Sequence, residues 1–417
     1  MNGTLVLKIK KRTQSQWLCC FLVVLPFFFG TVIDLFHGPN AIKYVTDFAW
    51  LFLLVTMARN GDRVFSQEVN RIRYCIIALI ASSLIGFVLN YQSILYYLWG
   101  FRNQIRFFLF FLSCTVFLRH NDAKDLLDLF DIIFYINFVV TLVQYFVLGR
   151  RQDYLGGIFG TAVGCNAKTI IFLSIVTSKS VLSYMNKEEL LSRCVTKCCI
   201  TLFVAALAEL KFFFILFLLI VMMASLLTDF SMRKLMLICL AIICAYVGVR
   251  IMVTIFPMWE DWFSLDSILE TALSKDGYTG RGDMNRLTSM PIVWNRFLDT
   301  FGKKVFGLGL GNCDTSAFSF LNTPFYERYG YLRYNWFSGA FTLLELGLSG
   351  VVCYVLFFAL VYLYALKMEK SGNCIALYSQ MARITVVVCL LLSIYNASMR
   401  TEEAYFMYFV MALPFLR

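Results

Sequence analysis

Fixed positive charge beside flexible backbone marks one stretch of this chain. It runs Gly280-Arg281-Gly282-Asp283, then Arg286, Trp294 and Phe306-Gly307-Leu308-Gly309-Leu310-Gly311-Asn312. An arginine fork matches the geometry of a phosphate. Glycines let backbone approach a ligand closely, or simply make a turn. Three further sets could do related chemistry. Arg102 and Arg106 in Trp99-Gly100-Phe101-Arg102-Asn103-Gln104-Ile105-Arg106 stand four residues apart, on one helical face. They either bind an anion or snorkel to lipid headgroups. Glu209-Leu210-Lys211 forms a tight turn between two apolar runs, where ions need a partner or a water-filled cavity. Lys211 is the functional candidate there and Glu209 its counter-ion. The stretch Gly156-Gly157-Ile158-Phe159-Gly160-Thr161 with Asn166, preceded by Arg150 and Arg151, reads as a connector or a substrate loop.

The elements that position these residues are membrane helices. The chain has 417 residues, 60% of them hydrophobic and 15% charged, too little polar surface for a soluble domain. Apolar runs cover 17–36, 44–58, 74–90, 104–118, 127–147, 168–185, 194–208, 211–227, 235–254, 337–364, 380–397 and 402–416. At about 20 residues per crossing, this predicts an all-α polytopic protein with about twelve spans, the first retained and not cleaved as a signal peptide. The net charge of +11 anchors cytoplasmic loops and does not point to nucleic acid. The fourteen cysteines show no metal spacing, and His37 and His120 fall on opposite sides of the predicted topology. No metal site and no cofactor are expected.

Basic residues set the orientation. Lys8, Lys10, Lys11 and Arg12, then Arg59, Arg63, Arg71 and Arg73, place the N-terminus inside. An even span count returns the C-terminus to the cytoplasm. The chain reads as a single integral membrane domain, 1–417, with one large outer loop at 255–336 and a smaller outer segment at 148–167. In the large loop, Ser289-Met290-Pro291 looks like a helix start, with a capping hydroxyl and proline in the first turn. Ile292, Trp294, Phe297 and Leu298 then form an apolar stripe that packs on the membrane domain. There is no P-loop, no GxGxxG after a strand and no convincing internal duplication.

This order of parts resembles the bacterial polysaccharide polymerase (Wzy) and O-antigen ligase (WaaL) superfamily, multi-spanning proteins with one large periplasmic loop near the C-terminal third. The matching features are Gly280-Arg281, Trp294, the Phe306–Gly311 glycine run, and Leu343-Leu344-Glu345-Leu346-Gly347-Leu348-Ser349-Gly350 entering the next span. The Glu209-Leu210-Lys211 turn is similar to a basic turn of the family, and the spacing from Arg286 to Gly302 resembles an arginine–glycine pattern of polymerase loops. Ligases typically carry a histidine shortly before the Leu-x-Glu-x-Gly element. Here that stretch reads Tyr334-Asn335-Trp336-Phe337, which favours a polymerase.

The resemblance implies a GT-C-like fold in the bacterial inner membrane, with a periplasmic active site. It implies a glycosyltransferase that joins oligosaccharide repeat units carried on undecaprenyl pyrophosphate, for O-antigen, capsule or exopolysaccharide. It admits a chain-length regulator protein as a partner. Lipid pyrophosphate is then the leaving group, and cations stabilise its departing charge. Arg281, Arg286, Arg106 and Lys211 are the first candidates, with Arg102 and Arg151 second. Asp283, Glu327 and Glu209 are the candidate general bases. Tyr334, Asn335 and Trp336 are candidates for the glycan. An O-antigen ligase, or a lipid-linked oligosaccharide flippase that rocks between two states, is the alternative.

Overall fold

The computed structural model describes residues 12–59, 65–229, 231–259, 277–279, 282–316 and 318–416. Among these the protein is all-α, with one isolated bridge between Tyr278 and Met284. Six described helices are long and apolar enough to cross a membrane: Asn40–Arg59, Gln67–Leu89, His120–Val147, Met232–Ile255, Ser338–Lys370 and Ala376–Tyr395. The bent pair Gln14–Val24 and Pro26–Leu35 raises the number to seven if it is one span. The expected twelve is therefore not reached by length and composition. The runs at 104–118, 194–208, 211–227 and 402–416 form helices of 12, 17, 17 and 9 residues. Their apolar character has a second physical cause, which is burial against other helices.

The helix Ala404–Ala412 shows this best, since every one of its residues is buried. It packs on Arg106–Phe117, Asn166–Met185 and Ala376–Tyr395. Edge-to-face and stacked rings fill the space, among them Phe107 with Tyr405 and Phe130 with Phe406. Such ring pairs add about 0.5–1.5 kcal/mol each beyond their buried area. At the periphery, Phe48, Leu51, Phe52 and Val55 of one span and Ile242, Ile243, Tyr246 and Val247 of another are exposed. Apolar faces of this kind suit lipid contact.

The described part of the large loop lies over the start of the 33-residue helix Ser338–Lys370. The expected helix forms as Ser289–Arg296, capped at Thr288 with no side-chain capping bond. Ser289 is its first residue, and its hydroxyl donates to the Arg286 carbonyl at 2.9 Å. Val293, Phe297 and Leu298 are buried, with Ile292 and Trp294 packed against them, so the apolar stripe is present. It joins Tyr334, Phe337 and Phe341 in a small second core.

The glycine run closes on protein and not on open space. Helix Ser338–Lys370 breaks at Gly347, where φ is +62°. There Leu308 and Gly309 donate backbone hydrogen bonds to the carbonyls of Leu344 and Glu345, at 2.9 and 3.0 Å. Gly311 has φ +81°, and a Cβ on it would strike the Tyr96 carbonyl oxygen. The glycine run and the 343–350 stretch are thus one structural clamp between loop and span.

Candidate functional site

Two charged clusters lie at the loop end of the helix bundle, on either side of the turn from Tyr395 to Glu403. The first is built on the Glu209 turn. Glu209 has φ +56°, an uncommon conformation for a residue with a Cβ. This sharp reversal starts helix Lys211–Leu227 with a lysine. Lys211 Nζ pairs with Glu209 at 3.0 Å. A cation at a helix N-terminus opposes the helix dipole, whose positive end favours an anion. Arg286 comes to the same place from the large loop. Its Nε donates to the Tyr395 carbonyl at 3.2 Å, and its guanidinium lies over the Tyr395 ring at 4.5 Å. Phe212 stacks on that same ring at 4.1 Å. Arg286 and Asp153 both stand within electrostatic reach of Lys211. Arg286 is solvent-exposed.

The second cluster surrounds a cavity of about 320 Å³. Its base is Arg400, whose side chain is 8% exposed. Arg400 donates to Glu345 Oε2 at 3.1 Å and to Asp314 Oδ2 at 3.0 Å, and lies over the Phe341 ring at 3.7 Å. Burial pulls the Arg400 pKa down, and Glu345 and Asp314 more than offset it, so the guanidinium stays firmly charged. Glu345 also accepts the backbone N–H groups of Gly311 and Cys313 at 2.9 and 3.4 Å. It therefore ties the clamp to the cavity floor. Asp314 accepts further bonds from Asn103 Nδ2 at 2.7 Å and from the Thr315 N–H at 2.9 Å.

A π-helical turn, Phe101–Ile105, presents the opposite wall. The wider turn lets Arg102 and Arg106 share two carboxylates, Asp47 and Glu402, at 2.8–3.3 Å. π-turns of this kind recur at functional sites. Arg102 also lies over Tyr44 and Trp99 at 5.3 and 5.0 Å. Lys43, Asn335 and Thr401 complete the lining used below.

The candidate residues divide accordingly. Lys211, Glu209 and Arg286 come together. Arg102 and Asn335 line the cavity. Arg106 does not reach it: its side chain is 0% exposed and held by Asp47 and Glu402, which corrects its assignment as a phosphate contact. Tyr334 is corrected too. Its ring is buried against Phe325 and Phe341 and its hydroxyl donates to the Cys313 carbonyl at 2.6 Å, so no sugar can stack on it. Burial first, then Cys313 and the nearby carboxylates, push that phenol pKa up. Trp336 is half-exposed, with Arg333 over its ring. Glu327 is exposed on helix Pro324–Tyr329, and Asp283 sits in the turn bridged by Tyr278 and Met284. Arg151 is exposed against Tyr145. Arg281 lies outside the described residues. The Gly156–Thr161 stretch is tied to its neighbours: Gln144 exchanges two bonds with Gly157 at 2.7 Å, Asn137 accepts from Ile158, and Asp34 accepts from Thr161.

Sequence reading missed Arg400, Glu402, Asp314, Asp47 and Asn103, and used Glu345 only as a motif letter. One signal was available. Arg400, Glu402 and Glu403 crowd the short junction of two apolar runs, where ions are costly unless paired or functional. Compared with protein-family models and with curated proteins, the chain matches none.

Proposed function

We propose that this protein polymerises lipid-linked oligosaccharide repeat units, with undecaprenyl pyrophosphate as the leaving group, at the outer face of a bacterial inner membrane. The observation that carries the reading is the convergence of Lys211 and Arg286 at a helix N-terminus. Lys211 is paired with Glu209, and the exposed Arg286 and the positive helix end beside that pair favour a bound anion. A pyrophosphate there would be held by an ammonium and a guanidinium fork. Arg286 is reached from solvent, so a headgroup could arrive without unfolding the site.

In the proposed reaction, a hydroxyl oxygen on the nonreducing-end sugar of one unit attacks the anomeric carbon of the other. The C–O bond to pyrophosphate breaks, and lipid pyrophosphate leaves with the electron pair. The hydroxyl proton passes to solvent or a carboxylate. Lys211 and Arg286 stabilise the charge that develops on the leaving oxygen. Glu209 holds Lys211 in place.

The glycan phenotype of a deletion strain tests this. Loss of a polymerase leaves single repeat units on the acceptor or lipid-linked monomers outside. Loss of a ligase leaves long polymer still on lipid, and loss of a flippase traps monomers on the cytoplasmic leaflet. Either of the last two outcomes would overturn the proposal.

A further inference from the structure

We infer that the cavity floored by Arg400 and Asp314 is a separate subsite for an uncharged, hydroxyl-rich sugar, and that phosphate does not enter it. The inference rests on the polymerase reading for the identity of the glycan, and on the cavity itself for the class of ligand.

Charge comes first. Lys43, Arg102 and Arg400 line the cavity with Asp314 and Glu402, and Asp47 and Glu345 bond the two arginines from outside the lining. Both lining guanidinium groups are already bonded to carboxylates, Arg102 to Asp47 and Glu402, and Arg400 to Asp314 and Glu345. A phosphate entering here would have to displace a carboxylate from its guanidinium, or sit beside that carboxylate in a poorly solvated place. Both are costly. The Lys211 cluster differs in exposure: Lys211 is paired with Glu209 and has Asp153 within reach, but Arg286 beside it is solvent-exposed and rests on the Tyr395 carbonyl and ring.

Donor and acceptor chemistry points the same way. An anion site offers donors. This cavity offers both kinds: carboxylate oxygens at Asp314 and Glu402, amides at Asn103 and Asn335, and a hydroxyl at Thr401. A sugar hydroxyl both donates and accepts, so a pyranose can satisfy such a lining and a phosphate cannot. The volume falls at the lower end of the range for small-ligand pockets of about 300–1,000 Å³. Asn335 adds a specific group. Its side-chain oxygen is buried and has no hydrogen-bond partner in the protein. A buried acceptor left unmade costs free energy, and a small rotation toward the cavity would let a sugar hydroxyl supply the bond. The clamp then has a role: Glu345 fixes Gly311, Cys313 and Arg400 together, so the cavity floor is rigid.

The test uses purified full-length protein and two probes. One is the lipid-free oligosaccharide released by mild acid from the host's lipid-linked intermediates. The other is inorganic pyrophosphate. Saturation-transfer NMR should show the oligosaccharide bound, and excess pyrophosphate should not displace it. Asn335→Ala should weaken oligosaccharide binding by roughly three- to tenfold, as expected for one hydrogen bond, with an unchanged melting temperature. Thr401→Val is the second variant and should weaken it similarly. Lys211→Ala and Arg286→Ala should leave oligosaccharide binding intact and abolish the rise in melting temperature that pyrophosphate gives wild type. Displacement by pyrophosphate, no binding to folded wild type, or unaltered binding in both Asn335→Ala and Thr401→Val overturns the subsite. The polymerase reading fails separately: wild type that binds the oligosaccharide yet never elongates lipid-linked units keeps the subsite and loses the reaction.

Discussion

The two clusters flanking the Tyr395–Glu403 turn hold similar residues and do opposite things with them. Around Arg400 the guanidinium groups are buried and bound to carboxylates drawn from four separate parts of the chain. Beside Lys211, Arg286 is exposed and leans on a ring and a carbonyl. The lesson is that an arginine near the membrane surface says little until its partners are known. Saturated arginines organise structure. Less compensated ones can hold a ligand.

Substitutions break this comparison in order of expected size. Arg106→Ala opens a void beside Asp47 and Glu402 and leaves them to Arg102, and should cost up to about 3–5 kcal/mol of stability. Thermal unfolding in detergent and the amount of protein in the membrane should both fall sharply. If Arg106→Ala melts like wild type, the cavity wall is not organised by that pair.

Lys211→Ala and Arg286→Ala should act mainly on the reaction. Elongation should drop by roughly 10²–10³-fold, the usual cost of losing a preorganised group that stabilises developing charge. Melting should change little for Arg286→Ala and fall modestly for Lys211→Ala, which takes from Glu209 its ion-pair partner. Arg286→Lys should rescue partly, since an ammonium lacks the two-pronged fork. Full-length polymer from both alanine variants at normal expression would remove the phosphate assignment.

A third pair sharpens the contrast between neighbours. Tyr334→Phe removes a buried hydroxyl from the Cys313 carbonyl, for a loss of about 1–3 kcal/mol. Trp336→Ala, two residues on and half-exposed, should stay within about 0.5 kcal/mol. Chemical denaturation of both variants measures the difference, and equal losses would contradict the burial pattern.

These contrasts also mark what the sequence could carry. Helix positions were legible from apolar runs: 74–90 lies inside Gln67–Leu89 but for its last residue, and 380–397 nearly coincides with Ala376–Tyr395. The span count was not, because Ala404–Ala412 is apolar for a protein interior and Met232–Ile255 for a largely exposed face, and hydropathy reads both alike. Lys211 and Arg286 were legible as candidates because each has local context, a tight turn and a helix start. Arg400 with Asp314 was not, since 86 residues separate the pair and only the fold joins them. Arg102 and Arg106 were seen as one face of a helix, but their saturation by Asp47 and Glu402 is tertiary. The glycine run had two open readings, and Gly347 decided between them by opening helix Ser338–Lys370 to receive it.

The most direct measurement is elongation by the purified protein. Reconstituted in liposomes and given lipid-pyrophosphate repeat units of the correct structure with a chelator present, wild type should yield a ladder of longer lipid-linked glycans and release lipid pyrophosphate. Lys211→Ala/Arg286→Ala should yield almost none while still binding the lipid-free oligosaccharide. No elongation by folded wild-type protein, or a ladder that persists unchanged in the double variant, would contradict the account.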